Sequence, residues 1–182
     1  MQYRKTHVAL LLIVGFFGCN PDSSEVVGSS DDCATNPSLY DYCLKDINPS
    51  SITYGKNIGP DYFEGQITLH YFGHQYWGTC TARVGQLDAL YGNLISQGIE
   101  NVKIIAIGKG QYSADNSKWT TNNSIPIVTD ESPNSLWASL GASQWDLYFL
   151  DSNGDYVTDF NINSWDYDKI YQTILVLSSL DD

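Results

Sequence analysis

Between Gln66 and Leu90, QITLHYFGHQYWGTCTARVGQLDAL, the hydrophobic pattern changes its period. Ile67, Leu69 and Tyr71 alternate with Thr68 and His70, the two-residue repeat of a β-strand, and Gly73 ends the run. From Thr81 onward Val84, Leu87, Tyr91 and Leu94 recur at helical spacing, with Ala89, Leu90 and Ile95 widening the stripe. The pattern predicts a strand, a tight loop holding Cys80, and an amphipathic helix that Gly98 stops. Val102–Ile107, VKIIAI, is a β-branched run suited to a strand buried on both faces and therefore parallel. Strand, helix and strand together form a βαβ unit.

The rest of the chain extends this plan. Residues 44–65 carry Pro49, Gly55, Gly59 and Pro60 without a sustained period, and predict an extended, turn-rich lead-in with a short hairpin. Lys109–Asn123 is polar and predicts a loop with a helical turn near Lys118–Trp119. Ile125–Val128 contains Pro126 and suits a short edge strand. Ser132–Leu140 predicts a short helix with Ser132 as N-cap and a proline in its first turn. Leu147–Leu150 and Tyr156–Phe160 are strands joined by the turn run DSNGD. That run also opens like a calcium loop, but it lacks the glutamate expected further on, and the hairpin accounts for it. A last helix, capped by Asn163 or Ser164, presents Tyr167, Ile170, Tyr171, Ile174 and Leu177. The order β-α-β, a connection, then α-β-β-α predicts an α/β fold with a central mixed sheet flanked by helices.

The first residues follow different rules. Arg4 and Lys5 precede the apolar run Val8–Phe17, and Gly18-Cys19 follows. The run is too short for a membrane-spanning helix, which needs about 20 apolar residues, and fits an export signal. FFGC resembles a bacterial lipobox, with Phe16 where leucine is usual. The alternative is a plain signal peptide followed by an incidental cysteine. The division expected is a lipoprotein signal peptide at 1–18, a lipid-anchored flexible tether at 19–32, a cysteine-containing lead-in at 33–65, and the folded domain at 66–182. Acylated Cys19 would hold the protein to a bilayer in the cell envelope. Asn20, rather than aspartate, after it points toward the outer membrane.

Charge narrows the partners. Loss of residues 1–18 removes Arg4 and Lys5 and no acid, so the net charge of −12 moves two units further negative. Such a surface argues against nucleic acid and anionic lipid. An exported chain can form disulfides. Of the three cysteines that remain, Cys33–Cys43 is the preferred bridge, closing a short loop, and Cys43–Cys80 is the rival.

From Gly59 to Leu177 the sequence resembles thioredoxin-like, redoxin-type domains of exported bacterial lipoproteins, and in pattern the N-terminal domain of selenoprotein P. The resemblance rests on WASLGASQWDLYFLDSNGDY at Trp137–Tyr156 and on the lead-in DINPSSITYG. It implies a thioredoxin-like fold and a redox pair at the strand–helix junction, with a nucleophilic Cys or selenocysteine three residues before a resolving Cys. Cys80 falls at the resolving position and Trp77, in Trp77-Gly78-Thr79-Cys80, at the nucleophile position. Where the family carries a cis-proline facing the pair, this chain has Gln144, Trp145 and Asp146.

A dithiol reductase needs one thiolate to attack and a second to release the mixed disulfide. Cys80 near a helix N-terminus favours thiolate, yet alone it supports at most weak monothiol chemistry. The competing account is a buried relic on a domain kept to hold an exported protein or peptide. His74, Tyr76 and Trp145 are candidates for lining a groove there, and Trp77 beside Tyr76 adds an aromatic. His74 also offers a base or a metal ligand, but no second Cys or His stands near it in sequence, and no metal or cofactor is expected. His70, on the central strand, reads as a satisfied core residue.

Overall fold

The computed structural model describes residues 40–132 and 135–180. The expected signal peptide, the tether, Cys19 and Cys33 lie outside them. In chain order the strands are β1 Leu44–Lys45, β2 Asn57–Ile58, β3 Ile67–Phe72, β4 Val102–Lys109, β5 Ile127–Asp130, β6 Asp146–Leu150 and β7 Tyr156–Asn161. The helices are α1 Gly78–Ser96, α2 Ser117–Thr120, α3 Ser135–Leu140 and α4 Tyr167–Ser178. Five strands form one sheet in the order β5-β4-β3-β6-β7. β3 runs parallel to β4 and β4 to β5, whereas β6 is antiparallel to both β3 and β7. This is a thioredoxin-like fold.

Two apolar layers sandwich the sheet. One gathers Ile67, Leu69 and Tyr71 of β3 with Val84, Leu87, Leu90 and Leu94 of α1 and Ile170, Ile174 and Leu177 of α4. Each aliphatic side chain buried this way contributes about 1.5–3 kcal/mol. The other joins Phe72, Ile105, Ile107 and Tyr148 to Ile58, Phe63 and Trp137. β3 is therefore buried on both faces, and its polar members need partners there. His70 has them: Nδ1 meets the Tyr42 hydroxyl at 2.8 Å and Nε2 the Thr68 hydroxyl at 2.8 Å. Burial lowers its pKa to about 3, so the ring is neutral in the folded protein.

Several boundaries differ from the sequence reading. Helix α1 starts at Gly78, so Cys80 lies in its first turn and not in the preceding loop. Its buried stripe runs through Cys80, Val84, Leu87, Leu90 and Leu94, while Ala89 and Ile95 face solvent. Gly98, at φ +80°, ends the helix as expected. α3 starts at Ser135, with Ser132 in a turn before it. α4 is capped by Asp166, whose carboxylate accepts from the Lys169 N–H at 3.0 Å, and not by Asn163 or Ser164. Asp151 Oδ1 accepts from the N–H groups of Asn153 and Asp155 at 2.9 Å, which fixes the β6–β7 turn.

The lead-in is fastened to the domain. β1 and β2 pair as a two-stranded ribbon. Asp46, fully buried, accepts from the N–H groups of Asn48 (2.9 Å) and Ile127 (3.1 Å) and from the Thr53 hydroxyl (2.7 Å). Ile47 N–H donates to the Ile127 carbonyl at 2.8 Å, and Asn48 Nδ2 donates to the carbonyls of Asn123 and Ile125. The lead-in thereby covers the β5 edge of the sheet. Among the described residues, no helix is long and apolar enough to cross a membrane.

Candidate functional site

The junction of β3 and α1 is built around close backbone approach. A side chain at Gly73 would stand 2.9 Å from the Tyr71 ring and 3.0 Å from the Trp119 ring, so only glycine fits where the strand leaves the sheet. Trp77 N–H then donates to the His74 carbonyl at 3.1 Å, which turns the chain into α1. Gln75, fully buried within this turn, grips Lys109 through both its carbonyl and N–H (3.3 and 3.1 Å) and reaches Asn116 at 2.9 Å. A Cβ at Gly108 would collide with that amide at 2.1 Å.

The two positions that would form a redox pair lie three residues apart at the start of α1 and differ in access. Trp77, the N-cap residue, is 49% exposed, whereas Cys80 is 0% exposed. Cys80 is a free thiol, and its Sγ accepts from Gln144 Nε2 at 3.1 Å. Cys43 is disulfide-bonded. The Cys43–Cys80 alternative is therefore set aside, and Cys33 lies outside the described residues. Gln144 is itself held, since its carbonyl accepts from Asn161 Nδ2 at 2.9 Å. Next to it Trp145 adopts φ +71°, an uncommon conformation for a bulky residue. Its N–H donates to the Phe72 carbonyl and its carbonyl accepts from Ile162 N–H, both at 2.8 Å. Gln144 and Trp145 thus tie the ends of β3 and β7 together where the resemblance places a cis-proline.

Polar groups in the apolar layer that contains Cys80 are incompletely paired. The Tyr71 hydroxyl lies beside the thiol, yet among the described residues neither it nor the indole N–H groups of Trp119 and Trp145 has a hydrogen-bond partner of proper geometry. Burial, then the neighbouring Cys80, pushes the Tyr71 hydroxyl far above its ordinary pKa, against a smaller pull from Arg83. It stays protonated. Arg83 is committed elsewhere, donating from Nε to the Ile162 carbonyl at 2.7 Å and from a terminal nitrogen to that of Asn163.

The proposed groove residues do not assemble around Cys80. His74 packs against Tyr112 and Trp137, with ring centroids 4.8 and 5.5 Å away, and Trp137 belongs to the opposite apolar layer. Burial and then Lys109 lower the His74 pKa from its ordinary value, which favours a neutral ring. Tyr76 is 62% exposed and lies under the Lys118 ammonium at 5.0 Å, and its carbonyl accepts from the same group. Trp145 packs on the layer that contains Cys80. Of the three, Trp145 alone joins the thiol's layer. Sequence reasoning missed Gln144 as the partner of Cys80. Its only signal was its place within the stretch Gln144–Asp146 that the resemblance aligns with a cis-proline.

The sequence matches no protein-family profile and no curated protein. In structure it is similar to the exposed lipoprotein thioredoxin Etrx1 of Streptococcus pneumoniae, with TM-score 0.59 and 18% identity over 75% of this chain and 99% of that one. A secreted Mycobacterium tuberculosis disulfide oxidoreductase homologous to DsbE gives TM-score 0.55 and 16% identity, covering 76% and 97% of the two chains. BsSco, a member of the Sco family of cytochrome c oxidase assembly proteins, gives TM-score 0.60 and 17% identity over 78% and 94%. The fold is thus one shared with thiol–disulfide oxidoreductases, some of them secreted or surface-exposed.

Proposed function

We propose that this chain is an exported, lipid-anchored thioredoxin-fold protein of the thiol–disulfide group whose redox motif is incomplete, and that it serves as a non-catalytic binding module for a polypeptide partner. The observation that carries this reading is the contrast between exposed Trp77 and fully buried Cys80. The position from which an attack would come carries an indole. The thiol that remains is shut from solvent and occupied by Gln144. Thiol–disulfide exchange requires a thiolate that can approach a disulfide sulfur in line, and a buried sulfur cannot. Monothiol turnover through Cys80 is disfavoured for the same reason. Export and anchoring rest on the residue pattern from Arg4 to Cys19.

Alkylation of the native protein with iodoacetamide, followed by mass spectrometry, tests the reading alongside a disulfide-reduction assay. Cys80 should stay unmodified until the protein is denatured, and no disulfide substrate should be reduced. Rapid native alkylation of Cys80 together with turnover would overturn the non-catalytic assignment. A mature N-terminus lacking acyl chains on Cys19 would overturn the anchor.

A further inference from the structure

The two edges of the sheet are finished differently. β5 is covered by the lead-in, through the Ile47–Ile127 bond and the Asp46–Val128 bridge. β7 has β6 on one side and no strand on the other among the described residues. Its pairing fixes which backbone groups are open. Ile162 N–H bonds to Trp145, and antiparallel alternation then directs residues 160 and 158 toward β6 as well. The N–H and C=O groups of Asp159 and Asn161 therefore point outward. Beside them a groove of about 430 Å³ runs between β7 and α4, lined by Val157, Thr158, Lys169, Val176 and Leu177. Val157 is 43% and Val176 58% exposed.

We infer that an extended, lysine- or arginine-rich segment of another protein adds to β7 as a sixth strand, with its apolar side chains in the α4 groove. The inference rests on the binding-module reading above and locates its surface. Main-chain bonds to an open edge supply affinity, and alternate side chains supply selectivity. Charge selects the occupant. Residues 146–180, which contain β6, β7 and α4, carry six aspartates against one lysine. That lysine, Lys169, lies over the Phe160 ring at 3.8 Å. A second copy fits poorly, because a two-fold through Asp159 sets Asp159 opposite itself, and like charges directly opposite destabilise a strand pair. The chain's own residues 20–32 hold four acids and no base, and meet the same repulsion.

The test is amide hydrogen exchange of the ¹⁵N-labelled protein with a short peptide alternating Lys and Val, and with its Glu–Val counterpart. The Lys–Val peptide should slow exchange at Asp159 and Asn161 by about tenfold or more, increasingly so at low salt. The Glu–Val peptide should leave both amides unchanged. Asp159→Pro removes one outward N–H at a position where an edge strand tolerates proline, and should abolish the protection. If that variant fails to fold, Val176→Lys, a change at an exposed site, must weaken protection by the Lys–Val peptide. Absence of protection, protection confined to the Trp77 junction, or protection that grows with protein concentration without peptide would each overturn the inference. Missing edge protection with Cys80 still inert overturns the edge assignment alone. Turnover through Cys80 with edge protection intact overturns the non-catalytic reading alone.

Discussion

Asp46 and Cys80 are both fully buried functional groups at the margins of the sheet, and their surroundings are opposite. Asp46 has three donors on its two oxygens, supplied by the lead-in and by β5. Around Cys80 one amide donates to the sulfur and the Tyr71 hydroxyl lies beside it, while that hydroxyl and two indole N–H groups of the same apolar layer lack a well-formed hydrogen bond among the described residues. A satisfied buried carboxylate fastens one segment to another. A buried region with unpaired polar atoms costs stability instead of supplying it.

The sharpest way to break that comparison is to supply a second thiol beside Cys80. Trp77→Cys places an exposed thiol three residues before Cys80, and disulfide-reductase activity should rise above that of the parent. A new thiol that neither forms a bridge with Cys80 nor reduces a substrate would mean that the junction is no longer shaped for exchange. At the other site, Asp46→Ala leaves the buried N–H groups of Asn48 and Ile127 unpaired and the Thr53 hydroxyl with Ser51 alone as a partner. The expected loss is about 3–5 kcal/mol, read as a lower urea midpoint. A loss below about 1 kcal/mol would show that the lead-in is held by its apolar contacts instead.

His70 gives a graded test on the face that the lead-in covers. Its folded pKa of about 3 lies below the ordinary 6.5, because burial disfavours the charged ring. Above pH 6.5 the ring is neutral in both states and costs nothing. As pH falls from 6.5 toward 3, the unfolded chain binds the proton first, and stability drops by about 1.4 kcal/mol per pH unit. The loss levels off below pH 3, once the folded ring is protonated too. Urea midpoints across this range should show a shallower slope in His70→Gln than in the parent. The smallest effect is expected from Tyr71→Phe, which deletes a buried hydroxyl that has no partner among the described residues. Stability should be unchanged or higher by up to about 1 kcal/mol. A loss of more than that would reveal a hydroxyl contact with Cys80 that matters.

Much of the fold was legible because it is local. Alternation at Ile67–Tyr71 and the three-to-four spacing of Val84, Leu87 and Leu94 reflect geometries that a few neighbouring residues impose. The DSNGD turn and Gly98 acted through backbone preferences of single residues. Boundaries were less legible. The first turn of α1 contains Gly78 and Thr79, which carry no apolar signal, so the hydrophobic pattern places its start too late. Ala89 and Ile95 are apolar but face away from the sheet, which composition cannot reveal.

From residue order alone it follows that a strand passes into a helix near a single cysteine, that no second cysteine stands three residues before it, and that the chain is strongly acidic. What that cysteine is depends on contacts made across the fold. Gln144, 64 residues further on, reaches Sγ because β6 pairs beside β3, and α1 and α4 cover the same face. The same packing sets Trp145 on the layer of the thiol and His74 against Trp137 of the other layer, although the sequence groups them. Burial and side-chain pairing are sums over elements distant in the chain, and no local pattern encodes which elements will meet.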